Sequence, residues 1–182
     1  VDFINYILEL TKPGEFNNLN SNIEQCISKA GFSKKDVFLG LLPQFHSFGF
    51  TVTTLLPAVI GSKTVYLAKF NPRKVLEILK THRPTIMVAI PSMYNAILNT
   101  KNATEEDFQS IQLAGSGGEA LPVAVYEGYL DRFKIPICEG YGLTETSPVT
   151  NWRMPEEDKY GSVGRAVDEL LERIVGEDEV EL

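Results

Sequence analysis

Ile135-Pro-Ile-Cys-Glu-Gly-Tyr-Gly-Leu-Thr-Glu-Thr-Ser-Pro148 is the stretch on which the interpretation of this chain depends. Its apolar beginning, 135–138, predicts a strand, and the glycines that follow let the backbone turn sharply and approach a ligand. An aromatic ring, a hydroxyl and a carboxylate come next, at Tyr141, Thr144 and Glu145. A ring can stack on a base, a hydroxyl can bond a phosphate oxygen and a carboxylate can hold Mg²⁺. The pattern predicts either a nucleotide-binding loop or a turn whose polar groups only satisfy one another.

The chain before this stretch alternates between apolar strands and capped helices. Strands are predicted at 37–42, 64–68, 85–90, 111–114 and 135–138. Helices are predicted at 18–30, at 47–60, after the Asn71 cap, at 91–99, in a short turn at 104–107 and at 122–133. The strands are continuous apolar runs, as in sheets that are covered on both faces. We therefore expect an α/β fold with a mainly parallel, doubly wound sheet and helices on both faces.

The two ends of the chain fit this alternation less well. Residues 2–12 predict a helix that Pro13-Gly14 would end, or a strand over 3–8. The alternation stops after Pro148, and the tail predicts a short helix at 169–175 or a hairpin that turns at 176–178. We expect a single domain over 1–182, with atypical ends at 1–16 and 168–182.

Composition and charge limit the possible partners. The chain has 182 residues and a net charge of −7. The segment 168–182 holds seven acidic residues and one arginine, so it carries −6 and the remainder −1. Neither part has the basic face that nucleic-acid binding needs, and no apolar run is long enough to span a bilayer. Without a signal-peptide pattern, and with Cys26 and Cys138 lacking metal-ligand spacing, we expect a cytoplasmic protein with buried, reduced cysteines.

Ligands of open α/β sheets bind beyond the carboxyl ends of the strands. Four loops leave predicted strands at that edge: 43–49, 90–92, 115–122 and 139–148. His46 lies in the first, where it is either a ligand-facing group or a hydrogen-bonded structural residue. Glu119 in the third could equally be a carboxylate at a helix N-terminus. A serine hydrolase is disfavoured because the chain lacks the Gly-x-Ser-x-Gly elbow.

Four stretches, in this order along the chain, resemble successive motifs of the adenylate-forming superfamily. The resemblance is greatest to long-chain acyl-CoA or acyl-ACP synthetases. The four stretches are Leu42-Pro-Gln-Phe-His-Ser-Phe-Gly49, Gly115-Ser-Gly-Gly-Glu-Ala-Leu-Pro122, Glu139-Gly-Tyr-Gly-Leu-Thr-Glu-Thr-Ser-Pro148 and Gly161-Ser-Val-Gly-Arg165, within 17–167. In that family a carboxylic acid reacts with ATP to give an acyl-adenylate and pyrophosphate, and the acyl group then passes to a thiol. The resemblance implies ATP and Mg²⁺ as cofactors. It implies fatty acid, ATP and CoA or acyl-carrier protein as partners.

The resemblance also implies roles for individual residues. Those that would contact the nucleotide are Gly117, Gly118 and Glu119 around the adenine, Tyr141 stacked on it, Gly142 beside it, and Thr144 at the α-phosphate. Those that would contact the acid are Phe45 and His46 at the entrance and Gly115, Ser116 and Gly140 along the acyl channel. The catalytic groups would be Thr144, Glu145 and His46, with Glu145 as the Mg²⁺ ligand.

The chain departs from the family at the place of its phosphate loop. Leu10-Thr-Lys-Pro-Gly-Glu-Phe16 is short and has one glycine, so few backbone N–H groups can converge on phosphates. The ribose-binding aspartate, hinge and lid lysine of the family are not matched either. We therefore expect an excised or engineered central subdomain of a fatty-acid ligase that is catalytically incomplete by itself. The alternatives are a non-catalytic folding unit with at most weak nucleotide or acyl binding, and an unrelated flavodoxin-like nucleotide binder.

Overall fold

The structure is a computed structural model that describes residues 13–157 and 159–177. Six strands form its sheet: β1 Val37–Gly40, β2 Lys63–Tyr66, β3 Ile86–Ala89, β4 Leu113–Ser116, β5 Ile137–Gly142 and β6 Val149–Trp152. Their order is β2-β1-β3-β4-β5-β6. Strands β1 to β5 are parallel, and β6 pairs antiparallel with β5. The predicted α/β fold with a mainly parallel sheet is therefore confirmed.

The helices cover both faces of the sheet. They are α1 Pro13–Ala30, α2 Ser47–Phe50, a π-helical stretch Thr51–Leu55, α3 Leu56–Ile60, α4 Pro72–His82, α5 Pro91–Leu98, α6 Glu105–Phe108, α7 Val123–Phe133 and a 3₁₀ turn Thr144–Thr146. Alternate residues of β3 enter different cores: Met87 packs in the core under α4, α5 and α7, whereas Val88 packs in the core under α1 and the π-helical stretch. The sheet is thus doubly wound, as its apolar strands predict.

The structure shifts several predicted element boundaries. Helix α1 includes Pro13 and so extends beyond the start predicted at residue 18. Proline suits the first turn of a helix, where its missing N–H would have no partner anyway. Strand β5 continues to Gly142, so the first part of the expected loop, 139–142, is strand. The helix or strand expected at 2–12 lies outside the described residues.

Strand β6 was not predicted, and the helix expected at 169–175 is absent from the described tail. Beyond β6 the chain forms an isolated antiparallel bridge between Asn151 and Ala166. The hairpin expected at 176–178 lies partly outside the described residues. Helix α1 holds β6 in place through Asn22, whose side-chain amide donates to the Val149 carbonyl at 2.6 Å and accepts from the Val149 N–H at 3.0 Å.

Both cysteines are buried and free, as expected from the sequence. Burial raises the pKa of the Cys26 thiol to about 12 and that of Cys138 to about 11. A thiol with so high a pKa is neutral at physiological pH and is a poor nucleophile. Over the described ranges, no helix has both the length and the apolar character needed to cross a membrane.

Candidate active site

A cleft opens at the carboxyl edge of the sheet, where the loops after β1, β4 and β5 meet. The space that the centre of a water-sized sphere can reach in it is about 80 Å³, so the cleft is narrow. The predicted site residues that line it are His46, Gly115, Ser116, Gly117, Gly118, Gly140, Tyr141, Gly142 and Thr144. The expected convergence of loops from separate strands at this edge is therefore present.

Two of the cleft glycines are required by close contacts between strands. A Cβ at Gly142 would lie 2.0 Å from the Pro148 carbonyl oxygen. This overlap could not be relieved by a side-chain movement, because the oxygen belongs to the backbone. A Cβ at Gly115 would lie 2.8 Å from Cζ2 of Trp152. The absence of a side chain at Gly142 lets the end of β5 approach the start of β6. The absence of a side chain at Gly115 leaves room over β4 for the indole ring of Trp152. Both glycines thus shape the cleft through the missing side chain.

Strands β4 and β5 are parallel neighbours, which brings the loop at 117–118 beside Tyr141. Gly118 has φ +85°, a left-handed conformation that favours glycine. The side chain of Tyr141 is about half exposed, at 52%. The glycine backbone and an accessible aromatic ring therefore line the same cleft.

Thr144 is joined to the loop after β1 by a hydrogen bond between hydroxyls. Its Oγ1 lies 3.1 Å from Oγ of Ser47, and either oxygen can be the donor. Each hydroxyl has one hydrogen and two lone pairs, so the pair retains a hydrogen for a ligand oxygen. Ser47 was not singled out from the sequence, although it follows His46 within a motif. Its contact with Thr144 depends on how two distant loops meet.

His46 has the structural role that its sequence context left open, whereas its ligand-facing role stays a prediction. Its Nδ1 accepts a hydrogen bond of 3.2 Å from the Phe48 backbone N–H and so caps α2. In the neutral imidazole the proton is then on Nε2. The residue is exposed and also lines the cleft, so Nε2 is the nitrogen left for a ligand.

Three predicted site residues do not line the cleft: Phe45, Glu119 and Glu145. Phe45 is 94% exposed, and the two carboxylates are exposed as well. Glu145 follows Thr144 and forms no ion pair within the described part of the chain. The roles of all three stay predictions.

The protein groups near Glu145 could bind Mg²⁺ only if a bound ligand supplied further oxygen atoms. The described residues contain no group of three or more His, Cys, Asp or Glu that could hold a metal ion. Mg²⁺ is usually bound by one or two carboxylates together with substrate phosphates, and it keeps several waters. An exposed carboxylate one residue from Thr144 suits that mode of binding.

The inner part of the cleft contains residues that the sequence did not indicate. Phe48, Asn151 and Trp152 all line it, and the last two belong to the unpredicted β6. The Ser116 hydroxyl is buried there and has no hydrogen-bond partner among the described residues. A buried polar atom without a partner is costly, so a water or a ligand atom is expected to satisfy it.

Sequence comparison identifies relatives of one kind. The profile of the AMP-binding enzyme family matches residues 14–182, which extends the similarity beyond the motif-bearing range 17–167. The long-chain-fatty-acid–CoA ligase of Bacillus subtilis is 33% identical over 81% of this chain and 27% of its own length. The 4-hydroxybenzoate–CoA/benzoate–CoA ligase of Rhodopseudomonas palustris is 30% identical over 82% of this chain and 28% of its own.

Solved structures give the same result. MatB from Rhodopseudomonas palustris superposes with a TM-score of 0.84 at 26% identity, over 91% of this chain and 33% of that one. A long-chain-fatty-acid–CoA ligase from Archaeoglobus fulgidus gives a TM-score of 0.80 at 26% identity, over 91% and 35%. The chain thus spans about a third of the length of these relatives. With a cleft built from the expected loops and a family profile that matches nearly its whole length, the chain belongs to the AMP-binding enzyme family.

Proposed function

We propose that the cleft is the acyl-adenylate site of a ligase that joins a fatty acid to the thiol of CoA or of an acyl-carrier protein. The observation that carries this proposal is the meeting of Gly117, Gly118, Tyr141 and Thr144 in one cleft on neighbouring strands. Membership of the AMP-binding family supports it independently. The names of the relatives, which include ligases of long-chain fatty acids and of benzoate, support a carboxylic acid as the substrate.

The reaction has two steps. A carboxylate oxygen of the acid attacks the α-phosphorus of ATP, the bond to the β-phosphate oxygen breaks, and pyrophosphate leaves. The thiol then attacks the acyl carbonyl carbon, its proton is lost to solvent or base, and AMP leaves with the electron pair of the broken C–O bond. Mg²⁺, when bound through Glu145 and phosphate oxygens, would neutralise phosphate charge.

This chain's own residues bind and orient the reactants. The backbone at 117–118 and the Tyr141 ring enclose the base on its two faces. The paired hydroxyls of Ser47 and Thr144 donate to an α-phosphate oxygen, since one hydrogen of the pair remains available. His46, held by its cap to α2, presents Nε2 toward the carboxylate.

The strength of nucleotide binding can be bounded. Stacking on one aromatic ring contributes about 1–3 kcal/mol, and a hydrogen bond to a charged phosphate adds roughly 1.5–3 kcal/mol. Association costs at least about 4 kcal/mol of translational and rotational freedom. We therefore expect this chain to bind AMP in the millimolar range at best.

Titration with AMP, followed by amide NMR shifts, tests the proposal. The shifts should centre on 117–119 and 141–145, and Tyr141→Ala should abolish them. Tyr66→Ala is the matched control, because Tyr66 is a half-exposed tyrosine (45%) on β2 at the opposite edge of the sheet. Shifts confined to the acidic tail would contradict the proposed site.

A separate measurement addresses the alternative of a folding unit without catalysis. If binding is seen while the isolated chain forms no acyl-CoA from fatty acid, ATP and CoA, the cleft is a binding site that needs further parts for turnover. Turnover by the chain alone at about 1 s⁻¹ or more would contradict the expected incompleteness.

A further inference from the structure

The inner end of the cleft is closed by one aromatic side chain, that of Trp152. This residue lies on β6 opposite Gly140 of β5, and it is only 4% exposed although it lines the cleft. Its ring reaches across β5 to β4, because a Cβ at Gly115 would lie 2.8 Å from Cζ2, and one at Gly140 would lie 3.5 Å from Cδ1. The indole ring therefore lies against the backbone of Gly115 and Gly140, along which the acid would otherwise pass.

On the side of Phe32, the indole packs against a buried cluster of described residues. The Phe32 ring lies 5.8 Å from the Trp152 ring between centroids, and Phe38 lies 5.3 Å beyond Phe32. Cys26 and Cys138 belong to the same buried cluster and are completely buried. An acyl tail that enters from the carboxyl edge of the strands would thus meet Trp152 and the buried cluster behind it.

Apart from the Ser116 hydroxyl and the Asn151 side chain, the surface around this wall is apolar. Phe48, Val88 and Val149 line the cleft beside Trp152, and none of them carries a charge. A charged end group would lose its hydration there and would find no Asp, Glu, Lys or Arg side chain among the residues that line the cleft, which is costly in a buried site. The environment therefore suits a hydrocarbon tail.

We propose that Trp152 forms the end wall of the acyl pocket and restricts the acid to one with a short hydrocarbon tail. This inference rests on the proposed function and narrows its substrate class, because the long-chain acids named for several relatives would not fit in front of the indole. Trp152 acts here as a specificity-determining residue: it contacts the tail and takes no part in either bond-forming step.

The test compares non-hydrolysable acyl-adenylate analogues, the acyl sulfamates of adenosine, with propanoyl and hexadecanoyl tails. Trp152 is the single tryptophan of the sequence, so its fluorescence reports binding at the wall directly. We expect the unmodified chain to bind the propanoyl analogue at least about tenfold more tightly than the hexadecanoyl one, since even one misfitting methylene is worth about 10–200-fold in a hydrophobic pocket. Equal affinities, or tighter binding of the hexadecanoyl analogue, would overturn the proposal.

Variants of the wall are measured by calorimetry, because they lack the fluorophore. Trp152→Leu should reduce the preference for the short tail to about threefold or less, and Trp152→Phe should give an intermediate ratio even if the leucine variant does not fold. Phe133→Leu is the matched control: this aromatic is 2% exposed but packs in the core on the other face of the sheet. A ratio that stays unchanged in the folded Trp152 variants, or changes equally in Phe133→Leu, would overturn the proposal.

A titration with AMP alone separates this inference from the function on which it rests. AMP has no acyl tail, so its affinity should be the same in the unmodified chain and in Trp152→Phe. If AMP binds while the two tails are not distinguished, the size limit is wrong and the proposed function stands. If neither AMP nor either analogue binds, the proposed function fails and this inference fails with it.

Discussion

At the level of single residues, the hydroxyl pair of Ser47 and Thr144 is the contact in the cleft that a conservative substitution tests most directly. Thr144→Val keeps the shape of the side chain but removes the group that would donate to phosphate. Because a hydrogen bond to a charged group contributes about 1.5–3 kcal/mol, we expect the affinity for an acyl-adenylate analogue to fall about 10–150-fold. Calorimetric titration measures this loss.

Two further variants make the Thr144 result specific. Ser47→Ala should cause a smaller loss, because it removes the partner that orients the Thr144 hydroxyl at 3.1 Å. Thr81→Val should cause none, since Thr81 is an exposed residue of α4 whose hydroxyl donates only to the Glu77 carbonyl. An analogue affinity that survives Thr144→Val would mean that this hydroxyl does not contact the phosphate.

The site residues that the sequence could indicate share one property: they belong to glycine-bearing loops that directly follow apolar strands. The individual roles of Tyr141 and Gly117 are implied by the family resemblance and stay predictions. Both were singled out in stretches that parallel strands bring to one edge of the sheet. Ser47 and Trp152 were not, since their positions depend on contacts between segments that are distant in sequence. Phe45 shows the opposite limit: it adjoins His46 in the chain, yet its side chain is 94% exposed.

At the level of elements, the attachment of β6 to α1 through Asn22 carries a stability prediction. Asn22→Ala leaves the buried N–H and C=O of Val149 without partners on this side. Because an unsatisfied buried group costs about 1–3 kcal/mol, we expect the free energy of unfolding to fall by at least about 2 kcal/mol. Urea unfolding followed by circular dichroism measures it.

Asn18→Ala is the control, because it also replaces an asparagine of α1 by alanine and so gives the same gain in helix propensity. Asn18 lies in the same helix but is exposed, and surface substitutions usually change stability by no more than about 0.5 kcal/mol. Equal stabilities of the two variants would mean that the Asn22 bonds contribute nothing net. The loss of stability in Asn22→Ala should also weaken ligand binding, since β6 carries Trp152 and Asn151 of the cleft.

The elements that the sequence predicted well are those with a long apolar signal and a local cap. Helix α4 begins after Asn71, whose side chain accepts from the Arg73 and Lys74 N–H groups, and α6 has the expected capping box at Thr104. Strand β6 has only four residues, 149–152, and it depends on pairing with β5 and on Asn22. A short strand that is stabilised by contacts distant in sequence has little recognisable pattern in its own residues.

At the level of the whole molecule, alternation along the chain predicted a parallel sheet covered on both faces, because parallel neighbours require crossover connections. It could not give the order β2-β1-β3-β4-β5-β6, which depends on which strands pair after the chain has folded. The order matters for function: β4 and β5 are neighbours, and only that pairing brings the loop at 117–118 beside Tyr141. The domain organisation expected for 1–182 stays a prediction.

Burial of titratable groups in both cores makes the stability of the molecule depend on pH in the alkaline range. Burial raises the pKa of Cys26 from 9.0 to about 12 and that of Cys138 to about 11. It raises the pKa of Tyr94 well above its ordinary value. In each case the folded state holds its proton after the unfolded chain has lost it.

The free energy of unfolding should therefore be insensitive to these groups below about pH 9 and should fall as the pH rises from about 9 toward 11. Each buried thiol contributes a loss of up to about 1.4 kcal/mol per pH unit in that interval, because the unfolded state ionises there more than the folded state does. Urea unfolding at successive alkaline pH values measures the slope. Cys26→Ala should make it shallower by the share of one thiol, whereas His82→Gln, an exposed substitution at the end of α4, should leave it unchanged. A stability that stays constant up to pH 11 in the unmodified chain would contradict the raised thiol and phenol pKa values.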